Sequence, residues 1–400
     1  MDPPKKSRKG YRQLKAVINE NNPTADLLLA IGGATFSAEN FSNMTKSSQL
    51  RYTFAKNLVA YARKYYFDGI DIDWEFPQEG EKDNFTGLLE DLRQEIDKEY
   101  GKSFDIVNGN LKKKLILSAA VTPSPYNVKY HKDIFFKYPL DSYDISALFR
   151  LLDQIHLMTY DLNHHEFISH HSRINTTEKD SSVTRQFAIE LLLNEWLKYG
   201  NASKIFLGLP YYARTYTVKI PSIKSLDDPN LNVKIADIFG KNMSSGRGNP
   251  GLITKEQGIL AYYEICELLK TKSDSQQKIS EPYLYENLNV PFFTISRIKK
   301  NEGLNLQWIG YDDPESLAFK VNFAKSKGLG GVMIWAIDMD DFNGKSCGKL
   351  YPLSRSVYDA ATGKNASEFL PNFHPAANSM IDQANKVLIS FIFGIWFLTS

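Results

Sequence analysis

Phe67-Asp-Gly-Ile-Asp-Ile-Asp-Trp-Glu75 is the stretch whose reading decides the fold. Apolar and acidic residues alternate with period two, which predicts a strand whose side chains leave on opposite faces. Ile70, Ile72 and Trp74 share one face, and Asp71, Asp73 and Glu75 share the other. A solvated acidic edge strand would carry similar letters. The purely apolar opposite face, with Gly69 where backbone must pack closely, favours a buried and catalytic strand instead. Like charges this close cannot all ionise, and burial raises a carboxyl pKa further. One of the three is therefore expected to keep its proton near neutral pH, as a general acid must.

Outward from this strand the pattern repeats. Residues 11–22 read as a short helix closed by Pro23, and the apolar run 27–33 as a buried strand ending in Gly-Gly. A helix is expected around 48–65, with Phe54, Leu58 and Ala62 at spacing four. Another carries the stripe Phe85, Leu88, Leu89, Leu92 and Ile96. Further strands are expected at 115–121, 154–160, 205–211 and 331–337. An amphipathic helix over 183–198 should turn Phe187, Leu191 and Trp196 inward. Alternating strands and helices imply a parallel sheet, and in this order a (β/α) barrel, whose active sites lie at the carboxyl ends of the strands. Glu75 ends its strand. Between Tyr216 and Tyr311 the pattern breaks into shorter, mixed segments, too long for an ordinary loop.

At 400 residues and 42% hydrophobic content the chain can bury a large core, and its near-balanced net charge of +2 argues against nucleic acid as a partner. The basic run Lys5-Lys6-Ser7-Arg8-Lys9 reads as a solvated end. Cys266 and Cys347 are too far apart in sequence to suggest a zinc site or redox pair. The pairs His164-His165 and His170-His171 hint at a metal, but adjacent histidines on a strand or loop should point apart, so a polar loop without metal is expected. Seven N-x-S/T sequons, at Asn40, Asn43, Asn84, Asn175, Asn201, Asn242 and Asn365, favour an extracellular glycoprotein. The opening Met1-Asp-Pro-Pro-Lys-Lys has no apolar export segment, which conflicts with that expectation.

Asp68, Asp71, Asp73 and Glu75, spaced D-x-x-D-x-D-x-E, resemble the signature of glycoside hydrolase family 18, the chitinases and chitinase-like lectins. The resemblance implies hydrolysis of β-1,4-linked N-acetylglucosamine, endo-acting and with retention, by a monomer that needs no cofactor. Glu75 would protonate the glycosidic oxygen, and Asp73, coupled to Asp71, would orient the substrate's acetamido group. The sugar's own N-acetyl oxygen serves as nucleophile in such enzymes, an exception to the two-carboxylate scheme. Met158-Thr-Tyr-Asp161 resembles the family's M-T-Y-D, which implies that Tyr160 hydrogen-bonds the acetamido group while Met158 and Asp161 line its pocket. Gly208-Leu-Pro-Tyr-Tyr-Ala-Arg214 resembles G-L-P-x-Y-G-R, which assigns sugar contacts to Tyr212 and Arg214, with Ala213 replacing a glycine. Trp335 resembles the tryptophan that floors the subsite of the distorted sugar.

Two positions depart from the family pattern: Ala34 follows Ile-Gly-Gly and Glu166 follows the histidine pair, where tryptophans are common. The loss removes stacking surface on the leaving-group side. Family members link cysteines matching Cys266 and Cys347, and carry an α+β insertion before the last strand. They also place two strands and a signal peptide ahead of the segment matching Tyr11. The expected fold is thus a TIM-type (β/α)8 barrel lacking its first two strands, six being present, a truncated product of little activity. Its expected parts are a helix at 1–26, barrel at 27–215, insertion at 216–311, barrel at 312–362, and linker and tail at 363–400. Residues 387–398 are too short to span a bilayer of ~20 residues and, after a polar spacer, fit a glycolipid-anchor signal and membrane attachment; a packed terminal helix is the alternative. A chitin-binding lectin of the same fold is the alternative function.

Overall fold

The computed structural model describes residues 5–101, 106–107, 110–111, 113–123, 142–163, 167–181, 184–228, 231, 235, 238–284, 288–300, 302–364 and 393–396. His164, His165, Glu166, Asn365 and most of the C-terminal tail lie outside them. The chain divides into two compact units. Among the described residues, the first holds those up to 157 and 196–206; the second holds those within 158–195, 207–364 and 393–396.

The first unit opens with helix α1 (Lys5–Asn21) and strand β1 (Leu28–Gly32). Helices α2 (Ala38–Thr45) and α3 (Ser48–Lys64) lead to β2 (Gly69–Asp73), in which every residue is buried. Ser47 starts α3 by accepting the N–H of Leu50, which satisfies a donor the helix leaves open. Helix α4 (Lys82–Gly101) follows and buries all five residues of its expected stripe. Next come β3 (Ile116–Val121), α5 (Ile145–Leu151) and β4 (Gln154–Leu157). Each of these four strands pairs in parallel with the next, and the register sets Gly32 beside Asp73 and Ser118 beside Asp71.

Gly69 is required by this packing. A Cβ there would lie 2.6 Å from the Ile116 carbonyl oxygen and 2.9 Å from Leu28. Gly32, at φ 118, is more constrained still, since its Cβ would stand 2.0 Å from the Asp73 carbonyl oxygen. The apolar face of β2 rests on rings: Trp74 stacks on Phe41 at 5.2 Å and meets Phe85 edge-on at 5.8 Å. Phe85 touches Tyr143, which touches Trp196.

Helix α6 (Ile189–Trp196) and strand β5 (Ile205–Pro210) each run across the division between the units. The second unit continues with a long strand β6 (Tyr212–Ile220), β7 (Ile259–Ala261), helix α7 (Tyr262–Lys270), β8 (Pro291–Lys299) and β9 (Gly303–Gly310). Strands β7, β6, β9 and β8 form a second, antiparallel sheet in that order. One face of it carries Tyr216, Val218, Leu306 and Trp308 in an apolar cluster, with Trp308 stacked on Phe292 at 5.3 Å. Helix α8 (Pro314–Ser326), strand β10 (Gly331–Trp335), helix α9 (Pro352–Thr362) and β11 (Phe393–Trp396) complete the unit. Asp313 caps α8 with Pro314 in its first turn.

The main sheet runs β1-β2-β3-β4-β5-β10-β11, six parallel strands and then an antiparallel one. This is the expected barrel class with six of its strands present. In the described part of the tail, Phe393–Trp396 pairs with residues 331–334 as a strand, so the alternative of a packed terminal helix fails there.

Three local expectations are corrected. β2 and β4 stop at Asp73 and Leu157, short of Glu75 and Tyr160. The expected helix over 183–198 is a 3-10 turn at Thr184–Phe187 followed by α6, and Leu191 is 46% exposed rather than inward. The histidines 170 and 171 do not point apart: they are buried, and their rings stack at 5.3 Å.

Cys266 in α7 and Cys347 after β10 form a disulfide with Cα atoms 5.2 Å apart, as the resemblance implied. It closes a loop of 81 residues around β8 and β9. Replacing either cysteine by serine should lower stability by about 2–5 kcal/mol, read as a lower urea midpoint under oxidising conditions. An unchanged midpoint would show that the bridge does not constrain the unfolded chain.

Candidate active site

The site grows from the carboxyl end of β2. Asp71 and Asp73 are buried within the strand, whereas Glu75 lies two residues past its end and is only half-buried. Asp68, the first acid of the motif, serves the scaffold instead: its carboxylate accepts the Leu27 N–H at 2.7 Å and pairs with Lys15 of α1.

Asp71 is the best-supported member. Its Oδ1 accepts the Ser118 hydroxyl at 2.5 Å and lies 3.0 Å from His156 Nδ1. His156 Nε2 in turn stands 3.0 Å from the Gln154 side-chain oxygen. Asp73 has no such support, and its buried Oδ1 lacks a hydrogen-bond partner among the described residues. Burial first, then the charges of Glu75 and Asp71, push its carboxyl well above the ordinary carboxylate range. Of the three acids, Asp73 is thus the one whose surroundings favour the protonated form.

The turn after β1 closes over this strand end. Gly33 donates its N–H to the Asp73 carbonyl at 2.8 Å, and an added Cβ at Gly33 would stand 3.7 Å from Asp73 Oδ2. Tyr143, just before α5, is fully buried, and burial above all pushes its hydroxyl well above the ordinary tyrosine range. Ser118, His156 and Tyr143 escaped the sequence reading. A signal existed for the first: Ser118 is the one polar residue of an otherwise apolar strand.

In the second unit, Met158 and Tyr160 are buried just beyond β4, and the Tyr160 hydroxyl lies 3.6 Å from Met333 Sδ. Asp161 adopts φ 57, in the left-handed region. Its Oδ1 accepts the Tyr212 hydroxyl at 2.9 Å and Arg214 Nε at 2.6 Å, while Arg214 Nη2 takes Oδ2. The period of β6 puts Tyr212 and Arg214 on one face, which is why both reach Asp161. Burial alone would raise the Asp161 carboxyl, but the Arg214 guanidinium paired with it holds the group well below the ordinary carboxylate range. Trp335 ends β10 half-buried, and its carbonyl accepts the Tyr211 N–H at 2.9 Å. Among the described residues no group of His, Cys, Asp and Glu is arranged to hold a metal ion.

A β/α sheet with an acid cluster at the carboxyl end of one strand, joined to an insertion with its own sheet, has the layout of the barrel-type glycoside hydrolases. The family model described as glycosyl hydrolases family 18 matches residues 2–340, and the chain belongs to that family. It is 30% identical to chitotriosidase-1 of Mus musculus over 388 residues, 93% of this chain and 72% of that protein. It is 31% identical to chitinase-3-like protein 2 of Homo sapiens over 347 residues, 85% of this chain and 76% of that protein. Human YKL-39, solved in the presence of chitooligosaccharides and described as a pseudo-chitinase, matches with TM-score 0.71 and 29% identity, over 90% of this chain and 86% of that one. The chitinase of Trichuris suis matches with TM-score 0.70 and 25% identity, over 87% and 84%.

The raised pKa of Asp73 is a stability statement. The folded chain keeps a proton that the unfolded chain sheds, so this contribution is complete below the unfolded pKa of about 4 and fades as pH rises toward the folded one. Asp73→Asn keeps the shape without the charge. It should therefore be more stable than the native chain at pH 8 and no more stable at pH 4, measured by urea unfolding. A variant less stable than the native chain at pH 8 would contradict the burial argument.

Proposed function

We propose that the chain hydrolyses β-1,4-linked N-acetylglucosamine polymers or oligomers by substrate-assisted, retaining catalysis, with Glu75 as general acid. The observation that carries this reading is the graded environment of the three acids. Asp71 is buried and accepts the Ser118 hydroxyl, Asp73 is buried with its carboxyl pushed well above the ordinary range, and Glu75 lies half-buried past the strand end. Of the three, Glu75 alone is open enough to exchange a proton with water.

In this mechanism Glu75 gives its proton to the glycosidic oxygen as the C1–O bond breaks. The N-acetyl carbonyl oxygen of the same sugar bonds to the anomeric carbon, so no protein carboxylate attacks. Water then displaces that oxygen and returns a proton to Glu75, so the configuration is retained. Asp73, buttressed by Asp71, orients the acetamido group. Tyr160 hydrogen-bonds the acetamido oxygen, Met158 and Asp161 line its pocket, Tyr212 and Arg214 hold sugar hydroxyls, and Trp335 floors the subsite of the distorted sugar. The residue boundaries expected from sequence for the barrel and its insertion belong to the same proposal.

A second reading, oligosaccharide binding without turnover, is favoured by one finding: YKL-39 is described as a pseudo-chitinase with retained chitooligosaccharide binding. Glu75 in its half-buried position favours the enzyme. We place the chain outside the cell or on its surface, as a monomer. The disulfide fits an oxidising compartment, and Asn40, Asn43, Asn201 and Asn242 are exposed for glycosylation, with Asn84 and Asn175 half-buried. Membrane attachment through a glycolipid anchor rests on the sequence of the tail alone.

Glu75→Gln should cut chitotetraose hydrolysis by at least about 10²-fold, the low end for loss of a general acid, while calorimetry shows binding retained. Equal turnover by native and variant chains would overturn the mechanism. Binding by the native chain without products would select the second reading.

A further inference from the structure

The residues assigned to sugar contact in the second unit are held from behind by a short segment. His170–His171–Ser172 runs alongside residues 159–162 and fastens them at three points. The Ser172 hydroxyl donates to the Thr159 carbonyl at 2.7 Å. The Asp161 N–H donates to His171 Nδ1 at 3.2 Å. The Leu162 N–H donates to the His171 carbonyl at 3.0 Å. Ser172 is itself fixed by Lys320, whose buried ammonium reaches Ser172 Oγ at 2.9 Å and Asp312 Oδ2 at 2.6 Å.

This support has a purpose at Asp161. A non-glycine residue in the left-handed region is disfavoured and persists only where its surroundings over-determine it. Asp161 at φ 57 is over-determined by the His171 ring and carbonyl on its backbone side, and by Tyr212 and Arg214 on its carboxylate side.

The two neighbouring histidines do different work. His170 is locked into the scaffold, accepting the Ser172 N–H at Nδ1 and lying 2.7 Å from the Tyr311 carbonyl at Nε2. His171 uses Nδ1 for Asp161, and its buried Nε2 has no hydrogen-bond partner among the described residues. Because Nδ1 accepts, a neutral His171 carries its proton on Nε2. The ring lies between His170 at 5.3 Å and Tyr212 at 5.1 Å. The charged groups facing it are Asp161, Arg214 from β6 and Asp312 ahead of α8. Burial holds the ring below the ordinary histidine range, against the opposing pull of Asp161.

We propose that neutral His171 is a positioning residue: by accepting the Asp161 N–H it fixes the left-handed turn from which Asp161 clamps Arg214 and Tyr212, and so sets sugar affinity rather than the proton-transfer step. The affinity part rests on the reading that Arg214 and Tyr212 touch the sugar; the hydrogen bond does not.

Two variants separate the acceptor from the shape. His171→Asn places an amide oxygen where Nδ1 stood, and it accepts a hydrogen bond but does not titrate. His171→Phe keeps a flat ring between His170 and Tyr212 but accepts nothing. With chitotetraose, His171→Phe should raise KM about tenfold with kcat held within about twofold, whereas His171→Asn should keep both within about twofold of native. A Phe variant with native KM, or with kcat lowered at native KM, would overturn the proposal. A second measurement does not depend on turnover. Nitrogen-15 NMR of the native chain should find His171 Nδ1 unprotonated at pH 7, and the Asp161 amide should exchange with solvent faster in the Phe variant than in the native and Asn chains. A protonated Nδ1, or equal exchange in all three, overturns the hydrogen bond. Absence of chitotetraose turnover and binding in the native chain, with those NMR results as expected, would instead sink the sugar reading and leave the positioning role standing.

Discussion

Three carboxylates at alternate positions, the first two sealed inside a strand, form the constraint on which the first unit depends. Water cannot reach Asp71 or Asp73 freely, so the protein must supply partners, withhold charge, or do both. It gives one Asp71 oxygen the Ser118 hydroxyl, with His156 nearby, and surrounds Asp73 so that its protonated form is favoured. The surrounding choices follow from that. Gly32 and Gly33 let backbone approach the end of β2 more closely than a side chain permits. Trp74, Phe41 and Phe85 seal the opposite face with rings.

The second unit buries some of its charges as ion pairs instead. Arg173 and Asp180 meet through two hydrogen bonds at 2.6 and 2.7 Å, and Lys320 meets Asp312 at 2.6 Å. Such pairs rarely add net stability, because desolvation offsets attraction, but removing one partner strands the other. Their value here is geometric. Lys320 sets Ser172, Ser172 sets the Thr159 carbonyl, and Thr159 reaches the Gly208 carbonyl in β5 at 2.7 Å. The chain that carries Tyr160 and Asp161 is thereby pinned to its own scaffold.

Much of the fold was legible because hydrophobic periodicity is local. The stripe Phe85, Leu88, Leu89, Leu92, Ile96 and the apolar runs of β1, β3, β5 and β10 declare their elements without tertiary help. Strand ends were less legible, since β2 and β4 stop where hydrogen-bonded neighbours stop, and that is decided by the partner strand. Leu191 was misplaced because its expected helix breaks into two parts, which rotates the apolar face. Asp68 fits the acidic spacing yet pairs with Lys15, far away in sequence, which no local pattern announces. His171 reads from the sequence only as part of a polar loop, because its partner is the backbone N–H of Asp161, a contact that side-chain spacing does not encode.

The early end of β2 bears on chemistry as well as on assignment. Had the strand continued through Glu75, alternation would have buried that carboxyl beside Asp73, where burial would raise it too. A carboxyl sealed from water cannot readily exchange its proton with solvent. Stopping at Asp73 leaves Glu75 half-buried: close enough for its charge to raise Asp73 and Tyr143, yet open enough to be reprotonated. The same alternation therefore places a buried, proton-holding carboxyl and an exchangeable one two residues apart.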